Sequence, residues 1–361
     1  AFPNSLVVGC STAGEVRGAE VRDHSLAVSV ARFDQTDIAL ASLEVRSAAD
    51  SFTAGQQLAK RLSIKAGLRG VLVLSEGLNV SGTELLRGFN AVLADSVVVT
   101  GGLAGDGANF RRTWVAVGSK LKPNLVAAVG FYGDHVVLGH GSKGGWDKFG
   151  PERTVTRAEG NVLYELDGKP ALALYAEYLG DRARDLPSVG LLFPLALRAS
   201  ASDDKVVIRT VLAVDARAQS LTFAGEIPSG WRAQLMKADY DRLIDSGGLA
   251  AAAAMSTGKP VGQACLALAV SCIGRRLVLG DRTSEELEAV RAGISAKTVH
   301  LTGFYAYSQI SPFAIGHSDL HNQTMTVTLI SESPTPLPRA ASSSGGIAAG
   351  TGPRAAAPSG R

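Results

Sequence analysis

The sequence predicts an α/β (α+β) protein of two layered α/β domains with mixed, largely antiparallel sheets. Three observations carry this. Between residues 50 and 100, segments of helical period alternate with short apolar runs, the pattern of a layered α/β unit. At 114–139 and 191–224, short apolar runs rich in β-branched residues follow one another at hairpin distance, which reads as antiparallel sheet. At Asn161 the composition resets to a new strand, turn and helix. The chain therefore divides into a first domain at 1–160, a second at 161–332, and a Pro/Ser/Gly/Ala tail or linker at 333–361 that lacks the apolar residues to build a core.

Taken in order, residues 6–10 read as a buried strand that ends in the turn Ser11-Thr12-Ala13-Gly14-Glu15. Residues 26–33 and 38–45 alternate as two strands, split by Asp34-Gln35-Thr36-Asp37. A helix follows with Phe52, Leu58, Ala59 and Leu62 on one face, then a strand at 70–74. Ser81 and Glu84 form a capping box ahead of a helix striped with Leu85, Leu86, Phe89, Val92 and Leu93. Gly101 to Gly107 resembles a phosphate loop only in its glycine content. It has neither the Gly-Lys-Ser/Thr ending nor the GxGxxG spacing, and Asp106 would repel phosphate. Its glycines suit a close approach of the backbone to a ligand or another strand.

Strands are expected at 114–118, 124–132 and 135–139, then a glycine-rich loop at 140–146 with His140 and Trp146. After the strand at 162–166 and the turn Asp167-Gly168-Lys169, Pro170 starts a helix. A meander spans 191–197, 206–214 and 220–224. A helix is expected at 231–244, interrupted by Gly247-Gly248 before an alanine run. Residues 265–273 are strongly apolar, with Cys265 and Cys272 as core residues. Thr283 and Glu286 form a second capping box.

The C-terminal part has two strand-like segments, 303–312 and 320–330, around a loop with Pro312, Gly316, His317, Ser318 and Asp319. Thr324, Thr326 and Thr328 alternate with Met325, Val327 and Leu329. A period of two puts hydroxyls on one face and apolar groups on the other. His321, Asn322 and Gln323 sit where this strand starts, able to donate and accept hydrogen bonds without a fixed charge. That suits a small polar ligand, and it equally suits a strand end that satisfies its own loop.

A net charge of +3 with no basic stripe argues against nucleic acid. Three cysteines, with no CxxC, point to a reducing compartment and hence the cytoplasm. No apolar run approaches the length of a membrane span. His317 and His321 have the spacing of half a zinc site, but no third ligand lies near, so no metal is assigned. Cys10 has no neighbouring histidine and Ser11 lacks the GxSxG elbow, so no enzyme is read from the residues.

Several ordered motifs resemble the FIST family: GFYAYSQISPF at 303–313 with LHNQTMTVTLISE at 320–332, VGCSTAGEV at 8–16, GGLAGDG at 101–107, HGSKGGW at 140–146 and LDGKP at 166–170. The resemblance implies a FIST N and a FIST C domain, and a sensory module that binds a small ligand, with amino acids as candidates. It also implies signalling to a histidine kinase, or to a diguanylate cyclase or phosphodiesterase. The family's N-terminal strand and helix are expected to be missing ahead of Ala1. His317-Ser318-Asp319 stands where relatives carry a cysteine before LHNQ. Because both motifs are polar and sit at strand ends, Cys10, Ser11, Thr12, Gly14, Glu15 and Asp106 are expected to share a ligand site with Tyr305, His321 and Asn322 across the domain junction. The alternative the resemblance offers is a haem-based nitric oxide sensor, with His140 and His321 as the candidates for its axial ligand. A Cys10-dependent amidohydrolase stands third.

Overall fold

The structure, a computed structural model, describes residues 5–203, 205–260, 264–312 and 317–337. Gly316 and most of the tail therefore lie outside the described residues. Two six-stranded sheets stack face to face at the centre. The first runs Val136–Lys143, Met325–Glu332, Ala264–Cys272, Thr298–Ala306, Glu15–Arg17, Glu20–Arg22. The second runs Ser318–His321, Ser308–Pro312, Val98–Leu103, Leu68–Ser75, Leu125–Tyr132, Asp37–Glu44. Pairing is mostly antiparallel, with two parallel neighbours: Ala264–Cys272 beside Thr298–Ala306, and Leu68–Ser75 beside Val98–Leu103. Both central sheets contain strands from both sequence halves, so the division near residue 160 is not a division of sheets.

Helices cover the two outer faces. Ser51–Ser63 and Gly82–Asn90 bury Leu58, Leu62, Leu85 and Phe89 on the second sheet's Val71, Val73, Val99 and Ile310. Tyr240–Thr257 and Thr283–Ala292 bury Ala250, Ala254, Leu287 and Val290 on the first sheet's Met325, Val327 and Leu329. Between the sheets, Val129 and Phe131 meet Val136 and Ile330, and Leu74 and Ala127 meet Val270 and Phe304. The layers are thus helix, sheet, sheet, helix, each burying one face of its neighbour. A nine-stranded antiparallel sheet at 147–237 packs its own core around Leu163, Tyr175, Leu195 and Phe223. No helix is long and apolar enough to cross a membrane among the described residues.

Four local expectations change. Residues 26–33 pair with no strand, although they alternate. The expected helix at 231–244 is a strand, Arg232–Lys237, followed by the helix Tyr240–Thr257, which Asp239 caps on Arg242 N. That helix continues through Gly247-Gly248. A Cβ on Gly247 would lie 2.8 Å from Glu286 O, so glycine permits close contact with the helix Thr283–Ala292 rather than a break. The second capping box does not form: Glu286 turns inward to Arg275, and Thr283 Oγ1 donates to Gly280 O. Residues 140–143 belong to a strand rather than a loop.

The close-approach reading of Gly101 has a physical cause. It has φ +134°, and a Cβ there would lie 1.9 Å from Val73 O on the neighbouring strand. The partner is another strand.

Candidate functional site

The two sequence motifs fold into neighbouring but distinct clusters. The turn after Cys10 is clamped to Tyr305 by two backbone bonds, Ala13 N to Tyr305 O at 2.7 Å and Tyr305 N to Gly14 O at 2.8 Å. Thr12 Oγ1 donates to Glu15 Oε1 at 2.5 Å. Ser11 Oγ accepts from Trp114 N at 3.1 Å. Arg276 donates to Ala13 O and pairs with Asp23, its guanidinium 5.7 Å from the Tyr305 ring centroid. So the structure brings Ser11, Thr12, Gly14, Glu15 and Tyr305 together, beside Cys10.

Asp106 joins this cluster through Tyr307. It accepts from the N–H groups of Phe110 at 2.8 Å, Arg111 at 2.9 Å and Arg112 at 2.8 Å, and from the Tyr307 hydroxyl. Burial pushes its carboxyl up, but these bonds outweigh that and hold it below the usual carboxylate range. Phe110 stacks on Tyr307 with centroids 4.4 Å apart. Asp106 is therefore the pin of its own loop.

His321 and Asn322 engage a different strand. His321 Nε2 lies 2.9 Å from Ser311 O, and Asn322 Nδ2 donates to Ser308 Oγ at 2.7 Å. Both side chains are almost fully buried. Burial pushes the His321 imidazole down to about 4, against the opposing pull of the Ser311 carbonyl, so it is neutral near pH 7. Asn322 Oδ1 and Gln323 Oε1 are buried without a partner.

A buried ion pair links the clusters. Arg275 and Glu286, both 0% exposed, meet with Arg275 Nε 2.7 Å from Glu286 Oε1. Arg275 also donates to Leu243 O at 2.7 Å and to the carbonyls of Gly144 and Gln323. Glu286 Oε2 accepts from the Tyr305 hydroxyl at 2.9 Å and from Ser271 Oγ at 3.1 Å. The Tyr305 hydroxyl is thus spent inside the protein.

The alternation after Gln323 holds. Met325, Val327 and Leu329 face the helices, while Thr328 Oγ1 meets Thr100 Oγ1 of the other sheet at 2.5 Å and Thr326 meets Ser142. His140 pairs in register with Thr328 and is buried in this layer, its Nδ1 without a partner. His140 and His321 are held by different strands and neither borders the molecule's large cleft.

The thiols are poor nucleophiles. Burial pushes Cys10 up to about 12 and Cys265 up to about 11. Exposed His317 pairs with Asp95 at 3.4 Å. Among the described residues no group of three or more metal-ligating side chains occurs.

The large cleft, about 1100 Å³, lies elsewhere, and no motif pointed to it. Residues 26–34 form its roof. Its floor comes from 264–266, 299–302 and 330–332. This strap is pinned at both ends. Glu15 Oε2 accepts from Ser25 N and Oγ at 3.3 and 2.7 Å. Glu332 accepts from Asp34 N at 2.8 Å and Gln35 N at 2.9 Å. Between the pins, residues 26–33 have no backbone hydrogen bond among the described residues. Leu26, Val28 and Val30 stay 83%, 71% and 59% exposed. Their alternation was the one signal in the sequence, and it read as a strand.

No curated protein matches this chain. Among solved structures it is similar to the crystal structure of cyanuric acid hydrolase from A. caulinodans. That likeness has 11% identity and a TM-score of 0.21, over 82% of this chain and 99% of that chain, and carries no argument. The FIST N domain matches residues 1–169 and the FIST C domain residues 171–312. Matched by these two domains in succession, the chain belongs to the FIST family, whose domains are sensory modules of signal transduction that bind small ligands.

Proposed function

We propose that this chain is a non-enzymatic sensory domain whose small ligand enters the cleft under the strap at 26–34, and that closure of the strap is the signal. One observation carries the reading. A cleft of about 1100 Å³, the size of a ligand site, is roofed by a segment whose hydrogen bonds to the rest of the described residues lie at its two ends, with Phe33 packed on Phe131 near one of them. A segment with few backbone bonds opens at low free-energy cost. Glu15 ties this segment to the turn that carries the family motif, so movement of the strap reaches Thr12 and the Tyr305 cluster. The raised thiol pKa values, of half-buried Cys10 and buried Cys265, support a binding rather than a catalytic role. A histidine kinase, or an enzyme that makes or degrades cyclic-di-GMP, is the partner class that the family suggests, and amino acids are ligand candidates.

Thermal melts against the twenty amino acids, on the intact protein and on Ala27→Trp, test this. Ala27 is a half-buried roof residue that borders the cleft, so an indole there is expected to take up part of its volume. The proposal expects a ligand that raises Tm for the intact protein and fails with Ala27→Trp. A ligand that stabilises both equally binds elsewhere and overturns the cleft assignment.

A further inference from the structure

We infer that the cleft selects an anion with an apolar body, of the class of a medium-chain carboxylate. This rests on the cleft being the ligand site. Four cationic or basic side chains border it, Arg17, Arg32, Arg291 and His300, against two acids, Asp34 and Glu332. Both acids are already engaged. Asp34 pairs with Arg32 at 3.2 Å, and Glu332 accepts from the strap's own N–H groups. The side chains of Arg17, Arg291 and His300 have no hydrogen-bond or ion-pair partner among the described residues. Ser331, 5% exposed, also borders the cleft, and its Oγ is buried without a partner.

The remaining surface is apolar. Leu26, Val28 and Val30 on the roof are largely exposed, and Leu266, Val299 and Ile330 form part of the floor. A cleft this large exceeds what a bare inorganic anion fills. Basic side chains and apolar surface on both roof and floor are together complementary to a carboxylate that carries a hydrocarbon chain.

Calorimetric titration with octanoate, 1-octanol and inorganic phosphate tests this on the intact protein, on Arg17→Gln, Arg291→Gln and Ala27→Trp. Both arginines are exposed, so these variants keep the fold, and an unchanged melt confirms it. Octanoate is expected to bind, while octanol and phosphate bind at least tenfold more weakly. Each Arg→Gln change should weaken octanoate about three- to tenfold, less at high salt. Octanol binding as tightly as octanoate, lost in Ala27→Trp, overturns the anion class and leaves the cleft reading standing. Octanoate binding that survives Ala27→Trp overturns the cleft reading itself. No heat from octanoate, or phosphate binding as well, overturns the inference.

Discussion

Replacing Glu286 by Ala leaves Arg275 charged at a site with 0% exposure. The guanidinium keeps the carbonyls of Leu243, Gly144 and Gln323 but loses its only anion among the described residues. Tyr305 and Ser271 lose the acceptor of their hydroxyls in the same step. Breaking one side of a buried pair costs about 3–5 kcal/mol. For a protein of this size that is on the order of a 10 °C fall in Tm. Replacing both charges by apolar residues of similar volume, Arg275→Met with Glu286→Leu, removes the stranded charge and should cost far less than Glu286→Ala alone. Urea unfolding of the wild type, each single variant and the pair gives the coupling free energy directly. A cost below about 1 kcal/mol for Glu286→Ala, or a double variant as unstable as the single, refutes the view that this pair holds the two motif clusters together.

Four further outcomes follow from the same geometry. Asp106 has a folded pKa below its unfolded one, so its bonds to the loop are present above about pH 4 and lost as pH falls through the folded value. Hydrogen exchange of 110–112 should therefore rise in acid, and in Asp106→Ala already at neutral pH. His321 is also shifted below its unfolded value, here by burial: the unfolded state binds the proton first, so stability falls as pH drops from about 6.5 to about 4, by on the order of 3 kcal/mol. In His321→Asn that slope should flatten in acid-range urea melts; an unchanged slope would mean the imidazole is not held neutral. Cys10 should react with iodoacetamide at pH 8 far more slowly than a free thiol and become reactive in urea; fast native labelling contradicts its burial-raised pKa. Glu15→Ala releases Ser25 and should speed amide exchange at 24–26 without changing that of the core strand Leu125–Tyr132.

The sequence was legible where one chain segment decides the outcome. The Thr/apolar alternation at 324–329 puts hydroxyls on one face and apolar groups on the other, and the structure places them so. The Ser81 cap is local, and it forms. The errors arise where distant residues decide. Glu286 at a capping-box position is claimed by Arg275 because a buried guanidinium needs its charge more than a helix end does. Gly247-Gly248 looks like a break until the helix Thr283–Ala292 is laid against it. The strap at 26–33 alternates like a strand, but a strand also requires a neighbour, and its neighbours here are side chains across an open cleft. The cleft itself was illegible because its wall residues Arg17, Leu266, Arg291 and His300 come from separate parts of the chain and belong to no motif.

Methyl-resolved NMR during octanoate titration tests the central claim most directly, since leucine and valine methyls sit on the roof and floor of the cleft and also in remote cores. The cleft account predicts shifts confined to Leu26, Val28, Val30, Leu266 and Val299, with Leu58, Leu85 and Leu163 unmoved. Shifts centred instead on residues around Tyr305 and Asn322, such as Val16 and Val327, with the strap methyls silent, contradict it.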